Sequence, residues 1–286
     1  MNCAWEPLMA VLPHRMRLQL DHQTKQKLQE IRLRLHQPVE LIAAGYSKFI
    51  DLKTNEDDLK FVINAASRYS PWAAATVAQG YLTINGGHRI GLCGDCVVQG
   101  GKVSALREIT SLCMRVARSI SGIAEKAPRT GSVLILGPPG SGKTTLLRDI
   151  IRIRSVSGQA VAVVDERGEL FPSSGVFDAG PRSDILTGCT KRQGVHMTLK
   201  TMGPDCIAVD EITSEEDCQA LLSAGWCGVE LLATAHASNC EDLYRRQIYQ
   251  PLIRCGLFQQ ILVLDKSKKW RMERINGCTQ KSLAQY

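Results

Sequence analysis

From residue 131 onward the chain alternates short apolar runs with stretches of helical periodicity. The runs occupy 133–136, 161–164, 207–209, 231–234 and 261–264. Continuous apolar strands of this length are buried on both faces, so the pattern predicts a parallel sheet covered by helices. Several runs end in polar residues, at the carboxyl edge where an open α/β sheet takes its ligands. The earlier part of the chain reads differently. Leu59, Val62, Ile63 and Ala66 recur at helical spacing over 56–69, with Thr54 and Asp57 resembling a capping box. Residues 81–84 and 88–92 flank Asn85-Gly86-Gly87 as the arms of a hairpin, and a second hairpin is expected to turn at Gly100-Gly101. This gives two domains: an N-terminal α+β domain over 1–125, and a parallel-sheet domain over 126–286 entered through the Gly- and Pro-bearing stretch 121–131.

The first apolar run leads directly into Gly137-Pro138-Pro139-Gly140-Ser141-Gly142-Lys143-Thr144, followed by Thr145 and then by Leu146, Leu147, Ile150 and Ile151 at helical spacing. Strand, glycine-rich loop and helix in this order make a phosphate-binding loop. Glycines let successive N–H groups face phosphate oxygens, Lys143 reaches the β and γ phosphates, and the Thr144 hydroxyl is placed to ligate Mg²⁺. The cofactors expected are therefore ATP and Mg²⁺. A hydrolytic site also needs carboxylates near the metal and the attacking water. Two acidic pairs end apolar runs: Asp165-Glu166 and Asp210-Glu211. Asp210 is assigned to the metal with Thr144. Both Glu166 and Glu211 are catalytic candidates, and Glu166 is favoured as the water-activating residue on the expectation that its strand lies beside the phosphate loop. His236, ending the fourth run in Ala233-Thr234-Ala235-His236, is expected to sense the γ phosphate.

Charge and cysteine content narrow the setting. The net charge is +7, and from Arg245 to the end nine basic residues face two acidic ones, so this segment accounts for the whole excess. Residues 261–265 and 270–275 are read as a hairpin whose polar turn is 266–269. The basic tail keeps a nucleic-acid-linked motor open as an alternative, although Trp270 stands without the repeated aromatics that stack bases. The eleven cysteines are scattered and odd in number, and are read as reduced thiols, with Cys93-Gly-Asp-Cys96 as a pair in a turn. No run of 18 apolar residues occurs and the first ten residues lack a leader pattern, so a cytoplasmic location is expected.

Together the phosphate loop, acidic box, second acidic strand end and histidine box resemble the secretion ATPases of type II and type IV systems. The islands Glu30-Ile-Arg-Leu-Arg34, Pro38-Val-Glu-Leu41, Gly86-Gly-His-Arg-Ile-Gly91, Asp165-Glu-Arg-Gly-Glu169, Arg182-Ser-Asp-Ile-Leu186 and Thr234-Ala-His236 are similar, more closely, to the stage III sporulation protein AA family. That resemblance implies an α/β fold with a RecA-like P-loop ATPase core and a smaller N-terminal α+β domain. It also implies a homo-hexamer, attachment to the membrane through protein partners, and service to an export channel between mother cell and forespore. In such assemblies a neighbour's N-terminal domain donates arginines, for which Arg89, Arg107 and Arg115 are the candidates. The chain departs from the family at Ala237, Lys200-Thr201, Thr213 and the Asp165-Glu166 order.

Overall fold

The structure, a computed structural model, describes residues 3–43, 46–67, 77, 80–172 and 177–273. It divides into two compact units: Met1–Ser119 with Pro172–Val176, and Ile120–Phe171 with Phe177–Tyr286.

The first unit is built on a six-stranded antiparallel sheet. It comprises β1 (Leu28–Arg34), β2 (Pro38–Ala43), β3 (Tyr46–Lys53), β4 (Tyr81–Ile84), β5 (His88–Gln99) and β6 (Lys102–Arg115), in the order β3-β2-β1-β6-β5-β4. Strand β2 shows the expected alternation, with Val39, Leu41 and Ala43 buried and their neighbours half-exposed. The buried face meets helices α1 (Trp5–Val11) and α4 (Glu56–Ser67) through Leu8, Leu12, Ile31, Leu33, Leu59, Val62, Ile90 and Met114; the short helices α2 (His14–Arg17) and α3 (His22–Lys27) lie between them in the chain. Both expected hairpins form. The second closes with Gln99 opposite Lys102, leaving Gly100 and Gly101 as a two-residue loop with φ of 58° and 75°.

Two local expectations are corrected here. The α4 cap is one residue later than expected: the Asn55 N–H donates to Asp58 at 2.8 Å and the Asp58 N–H to the Asn55 side chain at 2.9 Å. Cys93 and Cys96 lie within β5, not in a turn. The backbone slips register between Cys93 and Asp95, and Gly94 packs so close to the Arg107–Ile109 backbone that a Cβ there would meet the Ile109 Cα at 2.7 Å. Among the described residues no cysteine forms a disulfide, and none joins a group of three or more side chains that could hold a metal.

The second unit holds a seven-stranded sheet ordered β13-β12-β7-β11-β10-β8-β9. Its strands are β7 (Val133–Leu136), β8 (Val161–Asp165), β9 (Ser183–Thr187), β10 (Cys206–Glu211), β11 (Glu230–Ala235), β12 (Gln260–Leu264) and β13 (Trp270–Glu273). All pair in parallel except β13, which returns antiparallel on β12 as the hairpin read from the sequence. Alternate side chains divide the core into two layers. Ile135, Val163, Ala208, Leu232 and Leu262 pack with Leu146, Leu147 and Ile150 of α5 (Lys143–Val156). Leu134, Val164, Val209 and Ala233 pack on the other side with α6 (Lys191–Thr201), α7 (Glu215–Trp226) and the segment running through α8 (Cys240–Arg245) and α9 (Gln250–Arg254). Capping boxes at Thr190/Gln193 and Ser214/Asp217 fix where α6 and α7 begin.

The strand order overturns one expectation. The neighbours of β7 are β11 and β12, whereas β8, which leads into Glu166, is separated from it by β10 and β11. At the usual strand spacing that is about 14 Å of sheet between β7 and β8. Local sequence pattern gives every strand of this sheet except β9, but not the crossover that seats β11 between β7 and β10.

Candidate active site

Phosphate-loop residues 137–144 connect β7 to α5. Gly142, the residue before the helix, has φ of 100°, a conformation that bears a Cβ only with strain. A Cβ on Gly137 would meet the Ser141 Oγ at 2.5 Å, so the loop closes tightly on itself there. The first turn of α5 holds Lys143, Thr144 and Thr145 with no acidic residue, leaving its N–H groups and dipole available to an anion. The Lys143 ammonium is buried and donates to the carbonyls of Gly137 at 2.9 Å and Pro138 at 3.2 Å. Burial pulls its pKa down, and the charges of Glu211 and Asp210 push it back up.

His236 joins this lysine to the second acidic pair. Its Nδ1 lies 2.9 Å from Lys143 Nζ, and its Nε2 lies 2.8 Å from Glu211 Oε1. An ammonium can only donate, so Nδ1 accepts and the ring hydrogen sits on Nε2, where it donates to the carboxylate. Lys143, His236 and Glu211 thus form one hydrogen-bonded line from β7's loop through the end of β11 to the end of β10.

Asp210, one residue before Glu211, is pushed up to about 6, first by burial and then by the charges of Glu169, Asp165 and Glu211, against the lowering effect of Arg148. A half-buried carboxylate this crowded with negative charge suits a cation. The oxygen donors offered by Thr144 and Asp210 are hard ligands, and two protein oxygens are what Mg²⁺ ordinarily takes beside phosphate and water. The two are brought to one sheet edge because α5 packs against β10, β11 and β7.

The other acidic pair is differently employed. Asp165 is buried and accepts the N–H groups of Glu169, Leu170 and Phe171 at 2.8, 2.8 and 2.9 Å, which makes it the anchor of the turn that follows β8. Glu166 is ion-paired with the buried Lys191 at 2.7 Å, and Lys191 also lies 3.6 Å from Asp217. Asp217 in turn accepts from Thr213 and Ser214, directly after the β10 acidic pair. The structure therefore gathers Lys143, His236 and Glu211 by direct hydrogen bonds, while Glu166 pairs with Lys191. Sequence reasoning passed over Lys191, Glu169 and Arg148. For Arg148 a signal existed: it follows Thr144 by four residues and so leaves α5 on the same face.

The three N-terminal arginines lie on the first unit's sheet. Arg89 stacks on Tyr81 with 4.1 Å to the ring centre, Arg107 is exposed on β6, and Arg115 lies 3.5 Å from Glu30.

Fold comparison defines the class. The Legionella pneumophila ATPase DotB superposes with a TM-score of 0.59 at 19% identity, covering 96% of this chain and 88% of that one. The pilus retraction motor PilT with bound ADP superposes with a TM-score of 0.63 at 18% identity, covering 90% and 84%. The chain thus has the RecA-like α/β core and smaller N-terminal domain expected from its motifs. Over 276 residues it is 35% identical to stage III sporulation protein AA of Bacillus subtilis (strain 168), covering 90% of each chain. Residues 5–282 match the family described as sporulation stage III, protein AA, and the chain belongs to that family.

Proposed function

We propose that the protein is a Mg²⁺-dependent ATPase of the secretion type, and that ATP hydrolysis powers assembly or transport at a sporulation channel. The observation that carries this reading is the line Lys143–His236–Glu211, which couples the phosphate loop through the end of β11 to a carboxylate at the end of β10. Residues 137–145 bind the phosphates: backbone N–H groups and the α5 dipole receive them, and Lys143 exchanges its carbonyl acceptors for phosphate oxygens. Thr144 and Asp210 hold the Mg²⁺, which supplies charge neutralisation across the phosphates. Glu211 accepts a proton from, or orients, the attacking water, with His236 fixing its position; Glu166 is the competing candidate. Fold kinship with a named ATPase and a named motor carrying ADP supports the reading.

The same reading makes the working unit a homo-hexamer, with an arginine among Arg89, Arg107 and Arg115 completing a neighbouring copy's site. Membrane components of the channel are the proposed partners. Among the described residues no helix is long and apolar enough to cross a membrane, which accords with attachment through other proteins. The nucleic-acid alternative gains nothing from Trp270, which packs against the core while its indole N–H donates to the Ile123 carbonyl at 3.1 Å. Phosphate release from ATP by purified protein is the direct test, with Lys143→Ala as control. Loss of turnover in a folded Lys143→Ala protein is expected; turnover at the wild-type rate would refute the assignment of the loop.

A further inference from the structure

Arg148 stands outside the motifs that define the nucleotide site, yet it is the side chain by which the phosphate-loop helix grips the acidic turn. Its Nε donates to the Leu170 carbonyl at 2.5 Å and its Nη2 to the Glu169 carbonyl at 2.6 Å. Its guanidinium also lies over the Phe177 ring, 4.4 Å from the centre. The same turn is held from within by Asp165, which takes the N–H groups of residues 169, 170 and 171. At Glu169 and Leu170 both the N–H and the C=O are therefore fixed by buried or half-buried charged groups. A turn that merely joined two elements would leave those groups to water.

What this turn carries is the carboxylate of Glu169. Of the charges acting on Asp210, that of Glu169 is the strongest, ahead of Asp165 and Glu211, and Arg148 is the cation set against them. Arg148 itself is supported by Asp210, Asp165 and Glu169 against the cost of its burial. One guanidinium thus ties two features together by direct hydrogen bonds: the helix that presents Thr144 and the turn that presents Glu169.

We propose that Arg148 is a positioning residue for the metal end of the site: its fork fixes the 165–171 turn to α5 and so sets Glu169 relative to Thr144, one helical turn before Arg148, where Glu169 serves the water shell of the divalent cation. This rests on the reading of the chain as a Mg²⁺-nucleotide enzyme. A lysine at this position keeps the charge but cannot reproduce the two-pronged donation to adjacent carbonyls or the flat stack on Phe177.

The test uses the full chain with Arg148→Lys, Arg148→Met and Glu169→Gln. Without nucleotide, amide hydrogen exchange at residues 169–171 should quicken about tenfold or more in both Arg148 variants, as loss of charge-assisted bonds to this turn demands, while the interior amides of α5 keep their protection. With ADP and a chelator, affinity should stay within about twofold of wild type, because the phosphate loop is untouched; the Mg²⁺ concentration giving half of the metal-dependent tightening should rise about tenfold. Glu169→Gln should match that Mg²⁺ shift, and the double variant Arg148→Met with Glu169→Gln should add little to either. Unchanged exchange at 169–171 overturns the grip. Metal-free affinity falling in parallel, or Arg148→Lys behaving as wild type, overturns the positioning role. Failure of the wild type to bind ADP would instead sink the nucleotide reading, and the exchange measurement would still decide whether Arg148 holds the turn.

Discussion

Replacing His236 by alanine should move nucleotide binding and chemistry in opposite directions. Lys143 Nζ has three acceptors: two loop carbonyls and His236 Nδ1. To reach phosphate oxygens it must leave the histidine, and that departure is charged against binding. Deleting the ring removes this competing bond. Water fills part of the space, so the net gain is that of one exchanged hydrogen bond, about 0.5–1.5 kcal/mol, or roughly 2- to 12-fold tighter ADP. Glu211 simultaneously loses the donor that orients it, and turnover should fall on the order of 10²-fold, the usual contribution of a placed acid or base. Calorimetric titration of ADP and single-turnover hydrolysis of ATP measure the two quantities on the same preparation. ADP binding that weakens in His236→Ala would mean that the histidine binds phosphate directly, and unchanged turnover would remove it from the chemistry.

Three further outcomes follow from the same geometry. Glu211→Gln should abolish single-turnover hydrolysis while Glu166→Gln leaves residual chemistry; the reverse result would return the water-activating role to Glu166. Asp210, raised to about 6 from the ordinary carboxylate value of 3.8, binds more protons folded than unfolded between those values, so the metal-free protein should lose stability as pH rises through about 4 to 6, by on the order of 2–3 kcal/mol. Thermal melts should therefore show a larger gain from Mg²⁺ and ADP at pH 7 than at pH 4.5, and equal gains would refute that account. If an arginine of a neighbouring copy completes the site, turnover per subunit should climb with protein concentration, and inactive Arg115→Ala or Arg89→Ala protein should depress wild type on mixing; a constant specific rate across roughly a hundredfold dilution would refute shared sites.

The sequence was most legible where chemistry and period coincide. The five apolar runs are strands, the loop between the first and its helix is formed as its glycines require, and the basic tail supplies the β12–β13 hairpin. Strand order was not legible, because a crossover is chosen by packing across the whole sheet and leaves no mark on neighbouring residues. That single gap underlay the expectation that the strand leading into Glu166 lies beside the phosphate loop. The cap at Asn55 and Asp58 differed from the expected one by a single residue, since Thr54 and Asn55 are both competent caps and only the entry angle of the chain decides. Cys93 and Cys96 looked like a turn because Gly94 signals one, whereas its missing side chain serves a close strand approach. Lys191 went unnoticed because a lysine at a helix start ordinarily faces water, and nothing local announces two carboxylates waiting in the fold.

The sheet of the second unit also acts as a partition. Side chains at 133 and 135 belong to the layer with the phosphate-loop helix, and those at 134 and 136 to the layer with α6 and α7, so the two layers share a backbone but few contacts. Substitutions at the exposed Met197 and Trp226 can therefore accumulate and reshape the outer surface of that layer while Leu146, Ile150 and Leu232 stay as they are. A lineage could change what docks on the α6–α7 side without retuning its nucleotide chemistry, and the strand tips, where His236 and Glu211 meet Lys143, are the places at which such drift must stop.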